Sequence, residues 1–445
     1  MASEWREVRL REVATLITKG TTPTTLGMPF VSTGINYIKA ESVTNEGTID
    51  RRKFSFIDPT THEALRRSQI KAGDLLMSMA GIYLGKVAVV PPEVIPANTN
   101  QAVAIIRLNS DVDRKFVSYF LRNREFNAYI NSLVAQSAQP NLNLAEIGNL
   151  PLRLPSLNEQ RAIVHILGTL DDKIDLNRRM NESLEAMARE LYKSWYVDFD
   201  PVRAKADGRD PGLSKPIDDL FPSRFIESEL GEIPEGWEVS NIGSVANVID
   251  CLHSKKPERR DSGLPLLQLS NIRNDGLIDM QDTYFVDKSD YKKWVSRMEA
   301  LPGDCVITNV GRVGAVAQMP NNQKAALGRN MTGIRCKQSF PYPTLLIECL
   351  LSKAMKDEIV QKMDSGTILD ALNVRNIPGL RFLCPKKREI LDCFELSARP
   401  LRALMERNLA ASRILAILRD TLLPKLISGE LRVGGAERVV RNMLP

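Results

Sequence analysis

The sequence predicts an α/β (α+β) chain built from two globular domains of similar fold, each followed by one long helix, the two helices pairing as a coiled coil. Two observations carry the prediction: a whole-domain repeat, and an abrupt change of hydrophobic period at the end of each copy. Trp5 and Trp237 open the matching blocks WREVRLREVATLI and WEVSNIGSVANVI. Further in, EGTID with FSFID answers DGLID with TYFVD, and KAGDLLMSMAG answers LPGDCVITNVG, setting Gly73/Asp74 against Gly303/Asp304 and Gly81 against Gly311. LNLAEIGNLPLRLP answers LNVRNIPGLRFLCP, pairing Asn143 with Asn373 and Pro155 with Pro385. The offset stays at about 230 residues, far beyond solenoid or propeller periods, so it marks duplication of a domain with its appendage.

The first part of each copy is rich in Gly, Pro, Thr and Asn, with short β-branched runs such as GKVAVV and CVITNV that read as strands between loops. Residues 113–133 read as a helix, with a counterpart at 342–363. From Asn158 to about Trp195 the period becomes helical, with Ile163, Leu167, Leu170, Ile174, Asn177, Asn181, Leu184, Ala188 and Leu191 spaced alternately by four and three. Leu401, Leu404, Asn408, Ala411, Leu415, Leu418 and Leu422 repeat that seam. A run of about 38 residues makes a rod of roughly 57 Å. Asn177 and Asn181 read two ways: as register-setting polar positions on the seam, or as residues facing water beside Leu176 and Met180. The divisions that follow are 1–155 and 237–385 for the two domains, 156–196 and 386–428 for the helices, a proline-punctuated connector at 197–236, and a mobile tail at 429–445.

Composition narrows the function. The chain has 445 residues and a net charge of +6; no apolar run reaches membrane-span length and the N-terminus lacks a signal-peptide core, so a cytoplasmic location is expected. All six cysteines lie in the second half with no CxxC pair, and with only three histidines the expectation is free thiols and no metal site. Lys and Arg outnumber Asp and Glu in residues 1–155, which fits phosphate contacts and fits a solvated surface equally well.

No catalytic constellation emerges. GIYLGKV, residues 81–87, has three residues between its glycines where a phosphate loop has four, and Val87 stands where a Mg²⁺-binding hydroxyl belongs. The pairing of a P-D dipeptide with a D/E-x-K triplet that a nuclease core uses is absent, as is the N/D-P-P-aromatic tetrapeptide of an adenine methyltransferase. What the domains offer instead is amide, hydroxyl and cationic groups in punctuated loops. Lys19, Thr21, Thr22, Asn98, Asn100, Gln101, Gln136, Gln139 and Asn141 belong to the first copy; Ser254, Lys255, Lys256, Asn271, Arg273, Arg312, Arg329 and Asn330 belong to the second. Asn, Gln and Arg pair bidentately with base edges, and Lys, Ser and Thr meet phosphates, so these are candidate DNA contacts; loop capping competes as a role for each one alone.

At this point the chain resembles, over its whole length, the specificity subunit of type I restriction-modification enzymes. LPLRLPSLNEQRAIVHIL looks like that family's first helix entrance, LYKSWYVDFDPVRAKADG like its central region and LRDTLLPKLISGELRV like its C-terminal region, while SMAGIYLGKVAVV and LPGDCVITNVG resemble strands of its target-recognition domains. PSLNEQ becomes PKKREI in the second copy, a departure that bears on how that helix docks. The resemblance implies two target-recognition domains that each read half of a bipartite double-stranded DNA sequence, with antiparallel helices as a ruler. It implies a non-catalytic chain that binds no cofactor, two methyltransferase subunits that clasp the helices and carry S-adenosylmethionine, and restriction subunits that use ATP and Mg²⁺. The rival readings are the equivalent subunit of another DNA-modification-based phage-defence system, and a stand-alone nuclease with an unrecognised site.

Overall fold

A computed structural model describes residues 5–134, 141–363 and 370–443. The chain forms two compact units, one of Met1–Ile174 with Ile414–Pro445, the other of Asp175–Arg413. Each unit therefore takes a segment of both long helices.

In the first unit, strands Ala14–Lys19, Val103–Leu108, Leu75–Ser78 and Val87–Val89 lie side by side in that order, all antiparallel. A second sheet runs Ser55–Ile57, Ile35–Ile38, Ala97–Thr99, Gln69–Ile70, its central pair parallel. The second unit repeats both topologies with Ala246–Asp250, Met331–Cys336, Cys305–Thr308 and Val316–Gln318, and with Tyr284–Val286, Leu264–Leu267, Ala325–Leu327 and Glu299–Ala300.

The short apolar runs follow from burial on both faces. Side chains alternate across a strand, so Leu75, Met77, Ala104 and Ile106 pack toward the helices while Leu76, Val103 and Ile105 pack toward the second sheet. Cys305 and Ile307 take the helix side in the second unit, and Val306 the other. A run buried on two faces reads as continuously apolar. The repeated Gly-Asp is structural: Gly73 and Gly303 adopt left-handed backbone, and Asp74 and Asp304, almost fully buried, each hold an arginine of the neighbouring strand through two hydrogen bonds, Arg107 and Arg335.

The single helix read at 113–133 is two, Arg114–Arg122 and Arg124–Val134. Asn123 breaks it by accepting from Phe126 N and donating to Phe120 O. Ser352 does the same between Pro343–Leu351 and Lys353–Gln361 by accepting from Met355 N. Local side-chain bonds of this kind compete with a continuous helix.

The long helices span Leu157–Tyr196 and Arg388–Ser428. In the first unit Glu159 meets Arg432 and Asp171 meets Arg419, each at 2.8 Å, around a core of Ile163, Leu167, Leu170, Leu415, Leu418 and Leu422, with Ile174 partly buried. In the second unit Leu184 packs with Met405, Leu401 and Leu404, and Leu191 lies half-buried against the aromatic core. Numbers rise along one helix as they fall along the other, so within each unit the helices are antiparallel. Asn177 lies on the seam, 5% exposed, while Leu176 and Met180 face water.

Residues 197–236 hold the helix Asp200–Ala206 and the hairpin Phe225–Ser228 with Gly231–Pro234, anchored by Phe199, Val202, Phe221 and Ile233 in the core. The segment read as a mobile tail contains the helix Val433–Met443, which docks because Val433, Ala436, Val439 and Val440 fall on one face. Among the described residues no helix is long and apolar enough to cross a membrane.

Candidate nucleic-acid interface

One end of the four-stranded sheet collects the candidate loops in each unit. In the first, strand Ala14–Lys19 delivers Lys19 to Gly20, where a Cβ would lie 1.9 Å from the Thr99 carbonyl, so only glycine lets the chain cross there. Beyond it Thr21 N donates to Thr99 O at 3.1 Å, and the Thr22 hydroxyl donates to Gln101. Tyr37, whose hydroxyl burial pushes up to about 12, stays protonated and donates to Thr21 O. Asn100 turns the returning strand by accepting from Ala102 N. Met79 N donates to Ala102 O, Leu142 N donates to Met79 O, and Asn141 bridges Ala80, which brings the turn Gly81–Tyr83 to the same end. Lys19, Gln101 and Asn141 are exposed; Thr21, Thr22 and Asn100 are half-buried. Gln136 and Gln139 lie outside the described residues.

The second unit repeats the arrangement with other side chains. Cys251 N donates to Met331 O as the chain leaves its strand toward half-buried Ser254 and exposed Lys255. Lys256 sits 4.1 Å from the centre of the Tyr284 ring. Asn309 N donates to the carbonyl of Asn330, a half-buried residue in left-handed backbone, and Leu372 N donates to Asn309 O, so Arg329, Asn330 and the turn carrying Arg312 converge. Arg329 is exposed. Among the described residues Lys19, Lys255 and Arg329 have no side-chain partner.

Two candidates, Asn98 and Asn271, are spent inside the fold, and a third, Arg273, is partly exposed but paired. Asn98 is fully buried, its amide donating to Leu65 O and Ser68 and its oxygen bonded to His62, so it cannot reach a base. Asn271, 3% exposed, donates to Asp279 O at 2.6 Å and accepts from Gln268 N at 2.7 Å. Arg273 is held by Asp275 at 2.7 Å and by Asp279 at 3.8 Å, and the hydrogen bond it donates to Asp275 raises its already high pKa. Arg312 is intermediate: exposed, yet donating to Ile272 O at 2.6 Å and bonded to Asn274.

Asp250, Cys251 and His253 bring three possible metal donors within 4.8 Å of one another. Arg297 donates to Asp250 at 3.2 Å and to Cys251 O at 2.9 Å, so a guanidinium already supplies the positive charge there. Burial meanwhile pushes the Cys251 thiol up, which opposes the thiolate a metal needs.

The two units share one fold, and each presents non-identical polar loops at the same end of its sheet. Residues 2–186 match the family model described as Type I restriction modification DNA specificity domain. The chain is 26% identical to the type I restriction enzyme MjaIX specificity subunit of Methanocaldococcus jannaschii over 97% of this chain and 94% of that one. It is 25% identical to the HindI specificity subunit of Haemophilus influenzae over 87% and 93%. The crystal structure of a type I restriction-modification system S subunit from M. genitalium shares the fold, with a TM-score of 0.60 at 14% identity, covering 95% of this chain and 96% of that one. Residues 2–186 thus match that specificity domain, and the chain is similar along most of its length to specificity subunits of type I restriction-modification enzymes.

Proposed function

We propose that this chain is the non-catalytic DNA-recognition subunit of a type I restriction-modification complex, and that each sheet end reads one half of a bipartite duplex sequence. The observation that carries the reading is the matched topology of the two units with different side chains at the same end: Lys19, Thr21, Thr22, Asn100, Gln101 and Asn141 in one, Ser254, Lys255, Lys256, Arg312, Arg329 and Asn330 in the other. Amides and guanidinium groups suit base edges, and lysines and hydroxyls suit phosphates. The helix pair acts as the ruler between the half-sites and as the seat of two methyltransferase subunits, which carry S-adenosylmethionine; restriction subunits supply the ATP- and Mg²⁺-dependent steps. The complex works in the cytoplasm, where its DNA substrate is.

Exchange of residues 5–155 for the equivalent domain of a relative tests this in the assembled methyltransferase. Methylation-sensitive sequencing then shows one half of the recognised sequence replaced and the other retained. A change in both halves, or methyl transfer by the purified chain alone, contradicts the proposal.

A further inference from the structure

The turn Gly81–Tyr83 joins strands Leu75–Ser78 and Val87–Val89. It opens with Gly81 and is followed by Gly85, both left-handed, and is closed by Leu84 N to Gly81 O and Gly85 N to Ser78 O. Three apolar residues stand in a row here, and two are anchored: Tyr83 packs on the core between the sheets and Leu84 on the core beneath the helices. Ile82 is 88% exposed, more than any other large hydrophobic side chain among the described residues.

The fold holds the turn by its neighbours and leaves this one side chain outward, at the sheet end that also carries Lys19, Gln101 and Asn141. In the second unit the corresponding turn is one residue shorter, with Arg312 and Val313 between Gly311 and Gly314; Val313 is buried in part, and Arg312 follows its glycine as Ile82 follows Gly81. The residue after the first glycine therefore differs between the units: it is apolar and 88% exposed in the first, and a guanidinium tied to Ile272 O and Asn274 in the second.

We propose that Ile82 is a specificity-determining residue that contacts the 5-methyl group of a thymine in the first half-site. The proposal rests on the reading of that sheet end as a DNA interface. The major-groove edge of a duplex is otherwise made of donors and acceptors, which the amides and hydroxyls around Ile82 match; the thymine methyl is the apolar feature there, and an aliphatic side chain is its complement. Insertion between base pairs is the competing use of an exposed apolar residue; it does not depend on a single methyl group, so replacing thymine by deoxyuridine separates the two.

The test uses the complex of this chain with its methyltransferase subunits and duplexes of the recognised sequence in which each thymine in turn is replaced by deoxyuridine, removing one methyl group. One replacement in the first half-site should weaken binding by the wild-type complex about four- to tenfold, the size of a lost methyl contact. Ile82→Ala should weaken binding to the unmodified duplex by a similar factor and be indifferent to that same replacement, with an unchanged melting temperature because Ile82 is not buried. Ile82→Arg should move the preference at that base pair toward guanine. The inference is overturned if every deoxyuridine effect is the same in wild type and Ile82→Ala, or if Ile82→Ala weakens all sequences alike. A wild-type complex with no sequence preference would instead overturn the DNA-reading function itself.

Discussion

Asn177 donates to the Asn408 carbonyl at 3.4 Å and to the Ser412 hydroxyl at 3.1 Å, while Asn408 donates to the Asn181 side chain at 2.9 Å. Asn181 and Ser412 occupy corresponding places on the two helices, so the pairing is a near-symmetric exchange, completed by Asn181 donating to Met405 O at 2.9 Å. A buried polar layer is satisfied in one register only, and that restricts how the helices slide.

Asn408→Leu should destabilise the protein by about 1 kcal/mol, because it leaves the Asn181 oxygen without its donor. Replacing Asn177, Asn181 and Asn408 by Leu and Ser412 by Ala should restore or raise stability in chemical denaturation. The same variant should broaden the distance distribution between spin labels at the exposed positions 179 and 407. An unbroadened distribution would show that the apolar seam alone sets the register.

Arg402 and Glu348 form a second buried pairing, 3.1 Å apart and each 3% exposed, with Arg402 also donating to Gly276 O at 2.7 Å. Glu348→Leu should cost about 3 kcal/mol by stranding the guanidinium, and adding Arg402→Leu should recover only part, since the Gly276 carbonyl then loses its donor. Burial raises the Glu348 carboxyl above its ordinary 4.5, and Arg402 opposes that only in part. A raised folded value means the folded state keeps the proton longer. The associated stability is complete below pH 4.5 and is lost as pH rises through the folded value. Urea midpoints should therefore shift in favour of Glu348→Gln over wild type across that window; parallel pH profiles would show that Arg402 fully compensates the charge.

The repeat made the fold legible because strands such as Leu75–Ser78, covered on both faces, leave continuous apolar runs that survive divergence. The helix breaks at Asn123 and Ser352 were not legible, since each depends on a single side chain turning back to cap the next segment. The candidate interface was legible as loops, not as residues. An asparagine that caps and one that reads a base carry the same amide, and the partners that distinguish them, Leu65 O for Asn98 and Asp279 O for Asn271, belong to other elements. Ile82 was hidden inside GIYLGKV, a string whose glycines suggest a phosphate loop and whose use as a hairpin turn depends on the pairing of its flanking strands.

Asn98→Ala should lower the melting temperature without altering sequence preference. It removes a fully buried amide that satisfies Leu65 O and Ser68, a loss of about 1–3 kcal/mol. A changed half-site with unchanged stability would return Asn98 to the interface.

Arg312, Arg329 and Lys255 should separate into three behaviours. The Arg312 guanidinium is tied to Ile272 O and Asn274, so Arg312→Ala should loosen the 269–274 loop and lower the melting temperature by about 2–4 °C, the equivalent of about 1 kcal/mol in a unit of this size. Arg329 is exposed and, among the described residues, has no partner; its guanidinium is free to bridge the O6 and N7 of a guanine, so Arg329→Ala should relax one base position of the second half-site by about 1–3 kcal/mol at constant stability. Lys255 is exposed too, but its ammonium is a compact, strongly hydrated charge without the rigid planar fork of a guanidinium, and Lys255→Ala should weaken all sequences alike and reduce the salt slope by about one. Binding of the three assembled complexes to a randomised duplex library at two salt concentrations, beside their melting curves, measures all of this. An altered profile for Arg312→Ala at full stability would show that its guanidinium leaves Ile272 O for the DNA.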